Sequence, residues 1–265
     1  DNVVDEANLK VSNSATNGYA LTAQSGNTGG LTWAEMSTTT AINDLTDGTT
    51  TATNNIGLGS TALDSITTGD ENTALGINAL TANTTANKNV GIGYLALQAT
   101  TTGGDNVGVG VGALYINTTG TQNIAIGKSA LAANTSASWN IGIGFESLYA
   151  NTTGADNIAI GHMAMYHSTT GLDNTATGYQ SLYNNTTGGY NTAVGHSALF
   201  ANTTANHHAA FGRYSLKFNT TGANNAGFGQ GTLTQNTTAS NNTAVGYHAM
   251  ESNTTGVDNV AMGSY

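Results

Sequence analysis

The chain contains no cysteine and no proline, and only five of its 265 residues are lysine or arginine. Without cysteine there are no disulfides and no thiolate metal ligands, so the redox compartment leaves no mark on the sequence. Without proline every backbone N–H remains available to a hydrogen-bonded ladder, and turns fall to glycine and asparagine. Few cations and a net charge of -10 argue against nucleic acid, whose phosphates are met by Lys and Arg. No apolar run approaches the roughly 18 residues of a membrane-spanning helix. The chain begins at Asp1 rather than Met, and a further piece upstream is expected.

Charge is scarce too, at 8% of residues, yet disorder does not follow. Disordered tails pair low hydrophobicity with high charge. Here polarity comes from Asn, Thr, Ser and Gly, and the apolar residues are placed at regular intervals. The stretch Asn140 to Asp156 shows the unit: N-I-G-I-G-F-E-S-L-Y-A-N-T-T-G-A-D. Its pattern starts at Asn55 and returns every seventeen residues to Asn259, with no insertion or deletion. A period of this length marks a solenoid, in which each unit is stable only when stacked on its neighbours.

Two segments follow from the repeat. Residues 1–54 lie outside it and are expected to be an N-terminal β connector and a Thr-rich transition. Between Leu9 and Met36, short β-prone pieces alternate with Asn-Gly and Gly-Gly turn signals. Residues 55–265 are expected to be the seventeen-residue repeat, an all-β solenoid or β-roll.

Within each unit, numbered from its Asn, positions one to five read as a short strand ending in glycine. Position five is Gly in every unit, Gly59 to Gly263, which implies positive φ or close backbone approach. Position four is apolar in all units but one, as at Ile126, Ile143 and Phe211, with Thr177 the exception. It is read as the core face of the strand. Position nine is Leu, or Met at Met165 and Met250, a second core contribution expected from a second short strand. Position three is always Ala or Gly and is read as facing outward against something close. So small an enclosed volume makes a lone stack marginal, and another chain packed on the position-three face is expected. Three-fold association buries one face per chain. Positions six, ten and seventeen are expected outside, and positions twelve to fifteen, mostly N-T-T-[GA], form a turn.

The unit N-x-A-x-G-x-x-A-L-x-x-N-T-[ST]-[GA], matched in full by Asn123 to Ala137 and Asn191 to Ala205, resembles the repeat arrays in tail fibres of tailed bacteriophages. Its core is also similar to the head repeats of trimeric autotransporter adhesins, whose unit is shorter. Leu9 to Trp33 resembles a short module ahead of such repeats. The resemblance implies a parallel homotrimer and a structural, adhesive fibre shaft that presents host-receptor binding. It implies tail or baseplate proteins as partners on the N-terminal side, and a host receptor, glycan among the options. A virion tail is the implied location. The alternatives are a bacterial surface adhesin of the same architecture or, more remotely, an ice-binding solenoid.

Candidate chemistry is sparse. Gly91-x-Gly93-x-x-Ala96 matches a dinucleotide fingerprint but comes from repeat positions with no helix to follow. Asp156 and Asp173 share position seventeen in adjacent coils, where a solvated turn is preferred to a cation site. The six histidines show no ligand spacing. No catalytic residue, cofactor site or metal site is assigned, and no enzymatic activity is expected. The N-x-[ST] triplets opened by Asn83, Asn117, Asn134 and their counterparts are read as products of the turn. The sharper signal is position ten: Tyr115, Ala132, Tyr149, Tyr166, Tyr183 and Phe200 in six successive coils. Stacked coils would turn these into an aromatic stripe, for which chain–chain packing and a sugar-binding surface are the two readings.

Overall fold

A computed structural model describes residues 19–23 and 31–35 as backbone strands, together with Ala52 and residues 54–264. The chain divides into two units, Asp1–Leu45 and Thr46–Tyr265. In the first, β1 (Tyr19–Ala23) pairs antiparallel with β2 (Leu31–Glu35), placing Leu21 opposite Trp33. Their β-branched and aromatic content suits a strand pair. The Thr-rich transition expected before residue 55 lies almost wholly outside the described residues.

The second unit is an all-β solenoid of seventeen-residue turns. Thirteen three-residue strands, from β3 (Ile56–Leu58) to β15 (Val260–Met262), stack in chain order as one parallel sheet. Each layer pairs equivalent positions, Ile124 with Ile141 and Ile141 with Ile158. Position five then turns the chain, with φ between 125° and 143°. A Cβ on Gly76 would lie 2.6 Å from the Gly93 carbonyl oxygen of the next coil. Both constraints exclude every residue but glycine, as the invariance of this position suggested.

Beyond that glycine the backbone alternates in hand. Positions seven and nine are left-handed, with φ 62° at Leu95 and 52° at Leu97. The N–H groups of positions seven and nine therefore point down and up the stack, while the one between them, as at Ala96, turns back to Gly93 O at 3.3 Å. Leu95 donates to Ile77 of the preceding coil at 3.1 Å, and Leu97 to Ala113 of the following one at 2.9 Å. The expected second strand is thus a tight, left- and right-handed turn that still hydrogen-bonds between layers. It carries the position-nine side chain into the core, where Leu80, Leu131, Met165 and Leu199 have no exposed surface.

The strand faces the other way from the sequence expectation. Position three points inward: Ala74, Ala125, Ala159 and Ala193 are fully buried. What comes close to it is the chain's own leucine row, since a Cβ on Gly91 would sit 3.3 Å from Leu80 Cγ. Position four points outward, with Ile126 40% and Phe228 42% exposed, and Ile143 half-buried. The reason is width. A seventeen-residue coil leaves room for one leucine and small side chains per layer, so the branched residues at two and four are displaced to the outer face. A partner on the position-three face is thereby ruled out.

Asparagine supplies the rest of the interior. Position one forms a buried ladder in which Asn140 Nδ2 donates to Gly154 O at 2.9 Å, and its Oδ1 accepts the Asn157 backbone N–H at 3.0 Å. Position twelve forms a second ladder, where Asn134 Nδ2 donates to Asn117 Oδ1 at 2.8 Å and to Ala137 O at 3.0 Å. Satisfied in this way, buried amides stay in a dry interior at little cost. The triplet asparagines Asn83, Asn117 and Asn134 are fully buried, so their side chains are unavailable as glycan acceptors in the folded chain.

Candidate functional site

Because each coil stacks in register, one sequence position becomes a file of side chains along the solenoid. At position ten that file is aromatic. Tyr149, Tyr166, Tyr183 and Phe200 stack with ring centroids 5.1, 5.4 and 5.2 Å apart and planes within 11° of parallel. Layers separated by the strand spacing of about 4.8 Å set this distance, and the rings meet it by offset stacking. Tyr149 is exposed and the next three are half-buried. The Tyr166 phenol is held above the usual range, first by desolvation within the file and then by the Glu146 carboxylate.

A second file runs beside it. Position six brings Phe145, His162, Tyr179 and His196 into a stack with centroids 5.1, 5.3 and 4.9 Å apart. His167 closes on the first file edge-on, at 4.7 Å from Tyr166 and 5.0 Å from Tyr183. Sequence reasoning missed this second file. Its column alternates Phe, His and Tyr, and reading the histidines as a separate residue class hid the fact that His162 and His196 share a position with Tyr179. Cations cap the face at both ends: Lys128 Nζ lies 5.7 Å from the Phe145 ring, and Arg213 lies 4.3 Å from Tyr214.

Of the stripe proposed from sequence, Tyr149, Tyr166, Tyr183 and Phe200 are brought together and Tyr115 is not. Ala132 occupies the layer between Tyr115 and Tyr149, and a cleft of about 220 Å³ opens over it and reaches back to Leu95 in the coil before Tyr115. Its walls include Val111, Gly112, Ser129 and the two tyrosines. Asp156 and Asp173 sit on left-handed, exposed turn positions. Among the described residues no three His, Asp or Glu side chains group as metal ligands would, and no helix is long and apolar enough to cross a membrane.

One polar substitution enters the core. His208 takes the place of Asn in the position-one ladder and is 3% exposed. Its Nδ1 accepts the Asn225 backbone N–H at 3.2 Å, as Oδ1 does in other coils. Burial, the largest influence, pushes the imidazole down to about 4, against an opposing pull from backbone hydrogen bonds at Asn225 and Gly222. The ring is therefore neutral at pH 7 and serves the ladder. Compared with known proteins, the chain matches no family model, no curated protein and no solved structure.

Proposed function

We propose that residues 55–265 are the shaft of a fibre that assembles as a parallel homotrimer, has no enzymatic activity, and carries adhesive contacts along its length. The observation that carries this reading is the outer face of the sheet. Parallel sheets normally have both faces covered, and here the chain covers only one. The other presents files of branched and aromatic residues at positions two and four, among them Leu75, Ile126, Ile160, Phe211 and Phe228, each exposed. An apolar surface of this extent marks an interface. Three copies facing a common axis would bury it.

The lack of convergence supports the same reading. Catalysis needs unlike groups gathered in a concave, partly dry site, whereas a repeated coil offers equivalent groups at fixed intervals. Such a surface suits length, stiffness and many weak contacts that add by multivalency. The motif resemblance favours a phage tail fibre, with virion tail and baseplate partners before the shaft and a host receptor as its target. A bacterial surface adhesin is the same architecture in another setting. Against ice binding, Thr118 and Thr135 donate their hydroxyls to the next coil's carbonyls at 3.0 and 3.1 Å. Only the position-fourteen threonines, such as Thr119 and Thr153, remain as an exposed file.

The test is the mass in solution. Light scattering should give three times the 26.8 kDa of one chain. Ile126→Lys together with Ile160→Lys should reduce it to one chain while the β circular dichroism persists, and Glu146→Lys should leave it unchanged. A stable monomer of the parent chain would refute the trimer.

A further inference from the structure

We propose that the gap at Ala132 is a binding slot for a single uncharged pyranose ring of a glycan, held between Tyr115 and Tyr149. The inference rests on the adhesive reading above and names its ligand class and place.

The geometry is that of one missing ring. Coils 106–122 and 140–156 each present a tyrosine at position ten, and the coil between presents Ala132. Two strand spacings separate the tyrosines, about 10 Å. A ring placed midway would lie about 5 Å from each, the separation that Tyr149, Tyr166 and Tyr183 already keep from one another. The cleft of about 220 Å³ is large enough for one six-membered ring.

The chemistry selects among rings. A pyranose has C–H faces that pack on aromatic planes and an equatorial rim of hydroxyls. The slot offers two tyrosine walls, an apolar flank at Leu95 and Val111, and a hydroxyl-bearing side chain at Ser129. The net charge of -10 disfavours acidic sugars. Elsewhere on this face the file from Tyr149 to Phe200 is closed ring on ring, so the slot is specific to the Ala132 layer.

The experiment uses the full chain in its native assembly. The probes are the methyl hexopyranosides of glucose, galactose, mannose and N-acetylglucosamine, followed by saturation-transfer NMR. At least one should show transfer to its ring C–H protons. Ala132→Tyr closes the file with a residue that other coils already carry there, and it should cut the transfer at least fivefold. Tyr115→Ala removes one wall and should do the same, whereas Thr81→Tyr, at position ten outside the slot, should have no effect. No transfer from any of the four sugars, or full transfer with Ala132→Tyr, overturns the proposal. So does a change in assembly mass with Ala132→Tyr, which would make the cleft a chain–chain contact. The fibre reading is judged separately: a trimer that binds no sugar sinks the slot alone, and a sugar-binding monomer sinks the trimer alone.

Discussion

The two asparagine ladders run side by side in the same coil and differ in how much variation they tolerate. Position one is Asn in twelve units and His only at His208, whereas position twelve also accepts Ile66, Thr100 and Ser168. Both are buried, and both donate to the same carbonyl: Gly154 O receives Asn140 Nδ2 and Asn151 Nδ2, each at 2.9 Å. The difference lies in what each accepts. At position one, Oδ1 takes the backbone N–H of the next coil's Asn, as Asn123 Oδ1 does from Asn140 at 3.0 Å. At position twelve, Oδ1 mostly takes another side-chain amide, as Asn134 Oδ1 does from Asn151 at 3.1 Å. A side chain can be exchanged together with its partner, but a backbone N–H is always present. Position one is therefore restricted to residues with an acceptor at that point, and His208 qualifies through Nδ1.

Breaking the stricter ladder should cost most. Asn140→Ala would strip the Asn157 backbone N–H of its acceptor, remove a donor from Gly154 O and leave a cavity, for about 4 kcal/mol in total. Asn134→Ala leaves Ala137 O still bonded to Asn123 Nδ2 at 2.8 Å and should cost about half as much. Chemical denaturation of both variants checks the ratio. Equal losses would mean that the backbone acceptor does not set the hierarchy.

His208 allows the comparison to be made with pH. Its folded value of about 4 lies below the ordinary 6.5, so the folded state takes up the proton later than the unfolded chain. Stability from this group is fully present above pH 6.5 and is lost as pH falls through 4. The loss amounts to about 3 kcal/mol from a shift of that size. Among charged neighbours, His207 pushes in the same direction as burial. His208→Asn should abolish this component, so the difference in denaturation midpoint between parent and variant should widen from pH 7 to pH 4. A constant difference would show that the ring does not titrate with folding.

Much of this architecture was legible in the sequence and one part was read backwards. The seventeen-residue period, the glycine that ends each strand and the buried leucine row all follow from residues that never vary or vary only in kind. The pleat was misassigned because Ile and Val at position four look like core. The better signal was tolerance. Position four accepts Leu, Ile, Val, Phe, Met and Thr, as a surface would, whereas position three accepts only Ala and Gly, as a filled interior requires. Burial of the asparagines was hidden by a general rule, since Asn is mostly exposed and is read as turn chemistry. At position ten the aromatic file was visible. The cleft within it was not, because a lone Ala in an aromatic column acquires meaning only when the layers are known to lie one ring apart.

The looser ladder can be repaired. At Ser168 the hydroxyl is too short to continue position twelve, and both Ser168 Oγ and the Asn151 Oδ1 facing it are buried without a hydrogen-bond partner. Ser168→Asn should supply an amide to Asn151 Oδ1 and to the carbonyl three residues on, as Asn185 does for Gly188 at 2.8 Å. A gain of about 2 kcal/mol is expected from satisfying these groups. Calorimetry of the variant decides it, and a destabilised Ser168→Asn chain would show that position twelve varies because the space there is not uniform.

The smallest effect concerns the turn that delivers position one into the coil. Position seventeen precedes each ladder asparagine and is left-handed, with φ 58° at Asp156 and 57° at Asn224. For a residue with a Cβ this conformation costs roughly 1–2 kcal/mol, and glycine escapes it at the cost of a higher unfolded-state entropy. The Asp156 N–H still donates to Ser138 O at 3.3 Å, a bond that any residue there would keep. Asp156 is exposed and its side chain takes no part in the ladder, so Asp156→Gly should stabilise the coil by about 0.5–1 kcal/mol. Amide exchange at Asn157, whose N–H is bound by Asn140 Oδ1, should slow or stay the same. If exchange at Asn157 instead quickened, the left-handed side chain would be helping to hold the ladder in register, and the tolerance seen at position seventeen would need another cause.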